Sequence, residues 1–468
     1  MTSSFQPPSA GGSTVPMLVV ITCICVALAA VLGLAPALVG GAVALGISIF
    51  IICFVSTEAS LYVLIFSMLL SPEFGMGALA GPSSTTGGRG VTIRTEDLLL
   101  VVMCFAWLTR MAVHKELGLV RATALNRPIA WYTFACLLAT GMGLIFGYVN
   151  GMTGIFFVLK YVEYFVIYFI MANNIHDRDQ VRRFTIAMLV TMFIVSVVAM
   201  AQVPLGGRVS APFEGDHGEP NTLGGYLLFT GAVAGGLLLT IQERRVRGYL
   251  TVLLVFAIVP FLMTLSRGSY LGLPFVYLAL TGLKRGNKFP MIAAMFLITA
   301  FGVAAMPQTV KDRITYTFNQ GATSHYQAKI GDVTLDSSTS ARIQSWQEAI
   351  TDVAASPIWG YGVTGYTFLD AQYPRTLAET GMIGVFTFGW LILALYRQGF
   401  HLYRSTVDPL YRGLSMGLIA GLTGLLVHAV GANTFIIVRI MEPFWLTAGL
   451  VVSAARLDEE RVREAPDA

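Results

Sequence analysis

The sequence predicts an all-α integral membrane protein, a polytopic bundle of about 14 transmembrane helices with one large extracytoplasmic loop. Hydrophobic residues make up 55% of the chain and charged residues 12%, and the mean hydropathy is +0.70. A soluble domain carries roughly a quarter charged residues. Apolar runs of about 17 to 25 residues, the length that crosses a hydrocarbon core, recur along the chain. These observations exclude an ordinary soluble enzyme.

Eleven of the predicted spans lie within the first 306 residues. A polar segment without a basic region precedes the first apolar run, which predicts a membrane helix rather than a cleaved signal. All five cysteines lie in apolar runs, and their spacing indicates neither a disulfide nor a metal site. The predicted spans are 16–34, 36–55, 58–71, 97–113, 129–148, 153–173, 182–204, 222–242, 246–265, 268–284, 289–306, 376–398, 412–430 and 432–455.

The distribution of basic residues predicts the orientation. Of the 30 Lys and Arg residues, 19 lie in one alternating set of connections and in the tail after the last span. Cytoplasmic loops are enriched in these residues, so this set is predicted to face the cytoplasm. Both termini are then predicted to be cytoplasmic, which requires an even number of spans and agrees with the predicted 14.

The segment from 307 to 375 is too long for a structureless connection. Within it, "STSARIQSWQEAITDVAAS" places apolar residues on one helical face, which predicts an amphipathic helix near the membrane surface. We therefore divide the chain into 1–306 with spans 1 to 11, an extracytoplasmic loop domain 307–375, and 376–468 with spans 12 to 14 and a cytoplasmic tail.

Arginine side chains on the predicted outer face are the main candidates for binding. Four separate stretches deliver Arg208, Arg267, Arg342 and Arg375 to a side where basic residues are scarce. Charged groups at membrane depth usually pair or line a cavity, and the guanidinium fork binds phosphate oxygens. The pattern predicts a site for a lipid-linked diphosphate. The alternatives are that Arg208 and Arg342 are ordinary loop charges and that Arg375 anchors its span at the membrane interface.

The polar strip "FLDAQYPRTLAETGMIG" at 368–384 supplies the candidate for a catalytic base. A carboxylate or imidazole near an acceptor hydroxyl could remove its proton, and Asp370 is the first choice. The other candidates are Glu379, at the head of a span, and Glu214 and His217 in the loop "GGRVSAPFEGDHGEPN". The acidic stretch around His217 could equally be a solvated loop or a weak divalent-cation site.

An ordered set of motifs resembles the O-antigen ligase and polymerase superfamily. It consists of Arg208 with Phe213 and "PNTLG" at 220–224, then "SRG" at 266–268, then "STSARIQSW" with Arg342. "SPIWGYG" and "QYPRTLAETGMIG" continue the match, which covers roughly 200 to 395. No single motif is specific, but their order is.

This resemblance implies an inner-membrane glycosyltransferase with a GT-C-like helical fold and an active site in the periplasm. Such enzymes move a glycan from undecaprenyl diphosphate to a hydroxyl acceptor without a metal or other cofactor. The implied partners are the lipid-linked oligosaccharide, the growing glycan, membrane lipids, and a chain-length regulator and flippase, with no nucleic acid. By the resemblance Arg208 and Arg267 hold the donor diphosphate, and Arg342 or Arg375 adds charge. Together with the base candidate Asp370, we predict Arg208, Arg267 and Arg342 as the catalytic residues. The predicted substrate-binding residues are Arg375, Tyr373, Gln372, His217, Glu214 and Asn221.

One departure from the family pattern bears on the reaction. Ligases of the superfamily carry a His-Asn pair where this chain has Asp370-Ala371-Gln372-Tyr373. The difference favours a polymerase of exopolysaccharide or O-antigen repeat units, with a ligase acting on lipid A-core or protein as the alternative.

A transporter of lipid-linked glycan is the second alternative, because transporters carry charges along a path through the membrane. Here the charges inside spans form two sets, and the two members of each set are three residues apart, which predicts internal ion pairs. These sets are Lys160 with Glu163 and Arg439 with Glu442.

Overall fold

A computed structural model describes residues 47–48, 50–52, 54–70, 73–75, 92–113, 121–212, 218–305, 308–319, 327–330 and 333–464. These parts form an all-α membrane protein. The helices are α1 Thr57–Leu70, α2 Thr95–Val113, α3 Asn126–Ile145, α4 Gly151–Asn174, α5 Arg178–Gln202, α6 Pro220–Thr240, α7 Arg244–Met263, α8 Arg267–Leu283, α9 Phe289–Ala305, α10 Gln308–Asn319, α11 Ser337–Asp352, α12 Gln372–Ser405, α13 Pro409–His428 and α14 Val438–Glu464. Two antiparallel two-stranded ladders pair β1 Glu73–Gly75 with β2 Thr92–Arg94, and β3 Lys329–Ile330 with β4 Val333–Thr334.

Each predicted span within the described ranges corresponds to a helix, but the bounds differ, as in span 432–455, where the helix begins at Val438. The count of 14 is not confirmed. Eight described helices are long and apolar enough to cross a membrane: α3, α4, α5, α6, α7, α12, α13 and α14. The apolar parts of α1 and α2 are shorter, and α8 and α9 each have 17 residues. The predicted span 16–34 lies outside the described residues, as does most of 36–55.

Close backbone contact between α6, α8 and α13 forms the centre of the bundle. A Cβ atom added at Gly417 of α13 would lie 2.5 Å from the Cα of Val233 in α6, and one at Gly272 of α8 would lie 2.9 Å from the carbonyl oxygen of Gly424. Small residues at such positions let membrane helices pack on each other's backbones. Helices α4 and α14 pack through aromatic side chains, with Trp445 4.8 Å from Phe165 between ring centroids.

Helix α12 is interrupted near its start. It begins at Gln372, four residues before the predicted span, and Gly381 has the non-helical values φ 60° and ψ −163°. The backbone around this break pairs with the loop segment 357–362: Tyr361 N donates to the carbonyl of Ala378, and Met382 N donates to that of Pro357. A Cβ at Gly381 would lie 2.5 Å from the carbonyl oxygen of Ile358, so only glycine fits this contact.

The described residues between 308 and 371 lie over one end of the bundle, which we call the loop end. It contains α10, the β3–β4 ladder and α11, and then an extended stretch to α12. Contacts bring three other parts of the bundle to it: Arg267 at the start of α8, Val149 between α3 and α4, and Asn433 between α13 and α14. Asn433 donates to the carbonyl of Leu369, for example. The helix predicted in "STSARIQSWQEAITD" is present as α11.

Candidate functional site

Arg208 is held at the loop end by the connection that follows α5. This connection folds back on itself, because the amide of Gln202 exchanges two hydrogen bonds of 3.1 Å with the backbone of Ser210. The Arg208 guanidinium donates to the carbonyl of Thr264 at 3.0 Å and to that of Leu265 at 3.4 Å. Arg208 therefore lies against the turn that leads into Arg267.

The turn between α7 and α8 is strained and tightly bonded. Leu265 has φ 49°, a left-handed conformation that a leucine rarely adopts. Ser266 caps α8 by accepting from the backbone N–H of Ser269, and its hydroxyl donates to Asn221 at 2.8 Å. Strained backbone persists where surrounding contacts enforce it, and it is frequent at functional sites.

Arg267 and Asp336 form a bidentate ion pair between α8 and the loop. Both guanidinium nitrogens of Arg267 lie 2.8 Å from the two Asp336 oxygens. Asp336 is buried and also caps α11 by accepting from Thr339 N. Its burial would raise the pKa of Asp336, but the hydrogen bonds from Arg267 and Thr339 outweigh it, and the pKa is lowered. This pair fixes the start of α11 to the bundle.

Arg342 and Asp370 form a second, more open ion pair. One Arg342 nitrogen lies 3.0 Å from an Asp370 oxygen, and the Asp370 side chain is 43% exposed. Arg342 also donates to Ser338, one turn earlier in α11. The pair places the proposed base next to a guanidinium and leaves one side of its carboxylate open.

Four arginines form one positive cluster at the loop end, and the sequence analysis missed one of them. Partial burial, followed by repulsion from Arg313, Arg267 and Arg342, lowers the pKa of Arg208 to about 10. The pKa of Arg313 in α10 is lowered as well, first by burial and then by Arg267. Arg313 lies three residues after the fully buried Val310, on the same helix face. As an arginine of the predicted outer loop 307–375 it met the same criterion as Arg342, and that is the signal that could have identified it.

A polar cavity of about 160 Å³ lies beside this cluster. Arg208 and Asp370 line it together, so two of the predicted residues from distant parts of the chain share one hollow. Asn221, predicted to bind substrate, also lines it, and Asn433 adds a buried oxygen without a hydrogen-bond partner. The remaining lining residues are Gly218, Glu219, Pro220, Ala432 and Ile437.

Arg375 is not part of the arginine cluster. It is buried in the first turns of α12, 3.0 Å from Glu379 one turn later. Glu379 also accepts from the backbone N–H of Thr364, so this carboxylate joins the loop to α12. Breaking a buried ion pair costs about 3–5 kcal/mol, which gives Arg375 and Glu379 a structural task.

Gln372 and Tyr373 use their polar atoms within the protein. The buried Gln372 side chain accepts from the backbone N–H of Phe435 and donates to Thr376. The Tyr373 hydroxyl donates to the carbonyl of Leu426 at 2.6 Å. Both residues attach the start of α12 to α13 and to the connection that follows it.

Two of the candidate residues, Glu214 and His217, lie outside the described residues, as does Asp216. Within the described part, no group of three His, Cys, Asp or Glu side chains is placed to hold a metal ion. Glu219 is described, and it lines the cavity with Arg208.

The buried charges inside the spans have structural partners. Lys160 lies 3.2 Å from Glu163, as their spacing predicted, and it also pairs with Asp97 of α2. Arg439 is fully buried in α14 and donates to the carbonyl of Pro212 at 2.8 Å. Arg439 thus holds the same connection that carries Arg208.

His428, at the end of α13, is a buried group that the sequence analysis did not single out. Its Nδ1 hydrogen-bonds to Thr434 at 2.7 Å, and its Nε2 has no hydrogen-bond partner. The ring packs under Gly268, where an added Cβ would lie 3.3 Å from the imidazole. It therefore supports the start of α8 directly beneath Arg267.

Comparison with known families identifies a domain in the second half of the chain. Residues 252–388 match the family model described as O-antigen ligase. The matched region starts in α7 and ends in α12, so it includes Arg267, Arg313, Arg342 and Asp370. No curated protein matches the sequence.

Proposed function

This chain carries the O-antigen ligase domain of a superfamily of membrane glycosyltransferases, and we propose that it polymerises oligosaccharide repeat units linked to undecaprenyl diphosphate. The product is an exopolysaccharide or O-antigen chain. The site faces the periplasm from the bacterial inner membrane, and both termini are cytoplasmic. A flippase supplies the substrate, and a chain-length regulator acts on the product.

The observation that carries the proposal is the shared cavity beside four guanidinium groups. Arg208 and Asp370 line that cavity, and Arg267, Arg313 and Arg342 are the cations that act on Arg208. A diphosphate would supply the anionic charge that this cluster favours, and arginine binds phosphate oxygens in pairs through its planar fork.

The arrangement suits glycosyl transfer in two ways. In the reaction the bond between the anomeric carbon and the diphosphate oxygen breaks, and its electron pair leaves with the diphosphate. Guanidinium groups fixed before the reaction stabilise that developing charge without further reorganisation. The acceptor hydroxyl oxygen forms the new bond to the anomeric carbon.

Asp370 takes the proton of the acceptor hydroxyl in this proposal. Its carboxylate lines the cavity and is partly open to solvent. Arg342 holds one of its oxygens at 3.0 Å and so orients it. Proton transfer to a positioned base contributes on the order of 10²–10⁴ in rate.

The test is a polymerisation assay with purified repeat-unit lipid and variants of Arg267. Arg267→Ala should lower polymer formation by about 10²–10³, the effect of removing one charge-stabilising donor. Because this change also leaves Asp336 buried without its partner, the double variant Arg267→Gln with Asp336→Asn is the matched control. It removes both charges of the pair.

The double variant should remain inactive if Arg267 acts on the diphosphate. Recovery of wild-type activity in the double variant would show that Arg267 only anchors α11 and would refute the clamp. Protein level and thermal midpoint in detergent are measured for each variant, so that loss of activity is separated from loss of fold.

A ligase is the second candidate, because the matching family model is described as O-antigen ligase. Incubation with repeat-unit lipid alone distinguishes the two. Long chains still attached to undecaprenyl diphosphate indicate a polymerase, whereas a ligase transfers glycan only when lipid A-core or protein is added.

A further inference from the structure

Four aromatic side chains form a continuous ladder at the loop end, outside the arginine cluster. We call Phe146, Tyr148, Tyr361 and Tyr366 the aromatic ladder. Ring centroids are 6.2 Å apart between Phe146 and Tyr148, 5.2 Å between Tyr148 and Tyr361, and 5.2 Å between Tyr361 and Tyr366. Phe146 is 55% exposed and Tyr148 49% exposed. Exposed patches of this kind often mark binding surfaces.

The ladder is built rigidly. Tyr361 donates to the backbone carbonyl of Asp352 at 2.7 Å, and Tyr366 donates to the Asp352 carboxylate at 2.5 Å. Between the two tyrosines, Thr364 has φ 69°, a strained conformation for a β-branched residue. The loop therefore fixes both rings at the end of α11.

The backbone below the ladder is also fixed. Gly362 has φ 89°, and a Cβ there would lie 3.2 Å from the Cα of Gly143 in α3. This contact joins the two segments that carry the rings, one between α3 and α4 and one in the loop. Rings held in place before a ligand arrives lose little conformational freedom on binding.

Helix α11 connects the ladder to the arginine cluster. Arg342, which holds Asp370, and Asp352, which holds the tyrosines, are both on this helix. Ten residues of helix separate them by about 15 Å. A short oligosaccharide that starts at the diphosphate site covers this distance.

We propose that the aromatic ladder is a subsite for the glycan, binding sugar rings a few residues away from the diphosphate. The proposal rests on the proposed function, because the arginine cluster defines where the glycan starts. Sugar rings present apolar C–H faces, and the flat apolar surfaces of aromatic rings match those faces. Asp352, between the two tyrosine hydroxyls, offers acceptor oxygens at the edge of the ladder.

The test measures binding of soluble oligosaccharides to the full-length protein in detergent. The probes are repeat-unit oligosaccharides released by mild acid from the cell's own lipid-linked pool, and an isoprenyl diphosphate without sugar. Tyr148→Ala should weaken oligosaccharide binding by about tenfold, as truncation of a central aromatic contact does. Tyr148→Phe, which keeps the ring, should bind as wild type does.

Tyr249→Ala is the matched control, since Tyr249 is 75% exposed and lies in α7, far from the ladder. It should leave binding unchanged, and isoprenyl diphosphate should bind equally to all variants. Equal oligosaccharide affinity of Tyr148→Ala and wild type overturns the subsite, as does wild-type protein that binds the diphosphate but no oligosaccharide. Failure to bind isoprenyl diphosphate instead refutes the proposed function.

The same variants also test another explanation, that the aromatic ladder contacts membrane lipid and not glycan. Tyrosine and other aromatic side chains collect at membrane interfaces, where they contact lipid headgroups. A change confined to lipid affinity in Tyr148→Ala, with oligosaccharide binding intact, would assign the ladder to the membrane instead of the glycan.

Discussion

At the scale of single residues, Arg208 shows how the cluster favours an anion. Its pKa of about 10 is lowered because burial and three neighbouring cations disfavour the charged form. Arg208 is still protonated at neutral pH. The negative charge of a bound diphosphate would favour the protonated guanidinium and raise the pKa of Arg208 again.

This gives a pH prediction. Below pH 10 Arg208 is charged and competent to bind, and as the pH rises through about 10 it loses its proton. Affinity for an isoprenyl diphosphate should therefore fall across this range in the wild-type protein. Arg208→Gln should bind more weakly at pH 8 and should lack that part of the transition. Binding titrations at several pH values, at constant ionic strength, measure both.

An identical pH profile in Arg208→Gln and wild type would contradict a role for Arg208 in holding the diphosphate. Arg178 provides a control, because its guanidinium pairs with Asp408 near the starts of α5 and α13, away from the loop end. Arg178→Gln should leave the transition near pH 10 in place.

The sequence identified Arg208, Arg267 and Arg342 as a group from charge scarcity on one predicted face, and the structure brings them to one end of the bundle. The sequence could not distinguish these three arginines from Arg375. That residue has the same side chain and the same predicted side, but its partner is Glu379 one turn later. The spacing of Arg375 and Glu379 allows an ion pair on one helix face, and the packing of α12 in the bundle buries that pair.

At the scale of helices, glycines decide how closely α6 and α13 pack. Gly417→Ala should lower the thermal midpoint of the purified protein by a few degrees, because the new methyl group would lie 2.5 Å from the Cα of Val233. Overpacking of this kind costs about 1–3 kcal/mol. Thermal unfolding in detergent measures the change.

Gly389→Ala in α12 is the matched control, since an added Cβ there has no neighbour within 4 Å. Alanine is favoured over glycine inside a helix by about 1 kcal/mol, so this variant should be as stable as wild type or slightly more stable. Equal stability of Gly417→Ala and wild type would show that α6 and α13 are further apart than described.

Hydropathy predicted the existence of these helices well and their ends less well. The start of α12 was placed at 376 because the preceding residues are polar, whereas the helix begins at Gln372. The polar side chains of Gln372 and Tyr373 at this start form hydrogen bonds with α13 and with the connection that follows it. No local sequence pattern reveals those partners. The break at Gly381 was missed for the same reason, since its partner is the distant segment 357–362.

At the scale of the whole molecule, the orientation predicted from Lys and Arg makes a direct test possible. In a variant without the native cysteines, Gln344→Cys in α11 should react with a membrane-impermeant maleimide in intact spheroplasts. Val462→Cys, at the exposed end of α14, should react only after the membrane is permeabilised. The expected difference follows from the excess of basic residues on the side that we predict to be cytoplasmic.

The reverse labelling pattern would place the arginine cluster in the cytoplasm, where a flipped lipid-linked glycan is no longer present. Labelling of both positions in permeabilised cells is the control for reactivity. An active polymerisation assay for each variant shows that the protein is correctly inserted.

By itself the sequence determined that the chain is an α-helical membrane protein, which part of it resembles the O-antigen ligase superfamily, and which arginines share a side. These properties follow from composition, from the length of apolar runs and from local motifs. Only the tertiary structure decided that Arg208 and Asp370 line one cavity and that Arg313 joins the cluster. Each depends on contacts between segments far apart in the chain, and local residue patterns do not encode the distance between such segments.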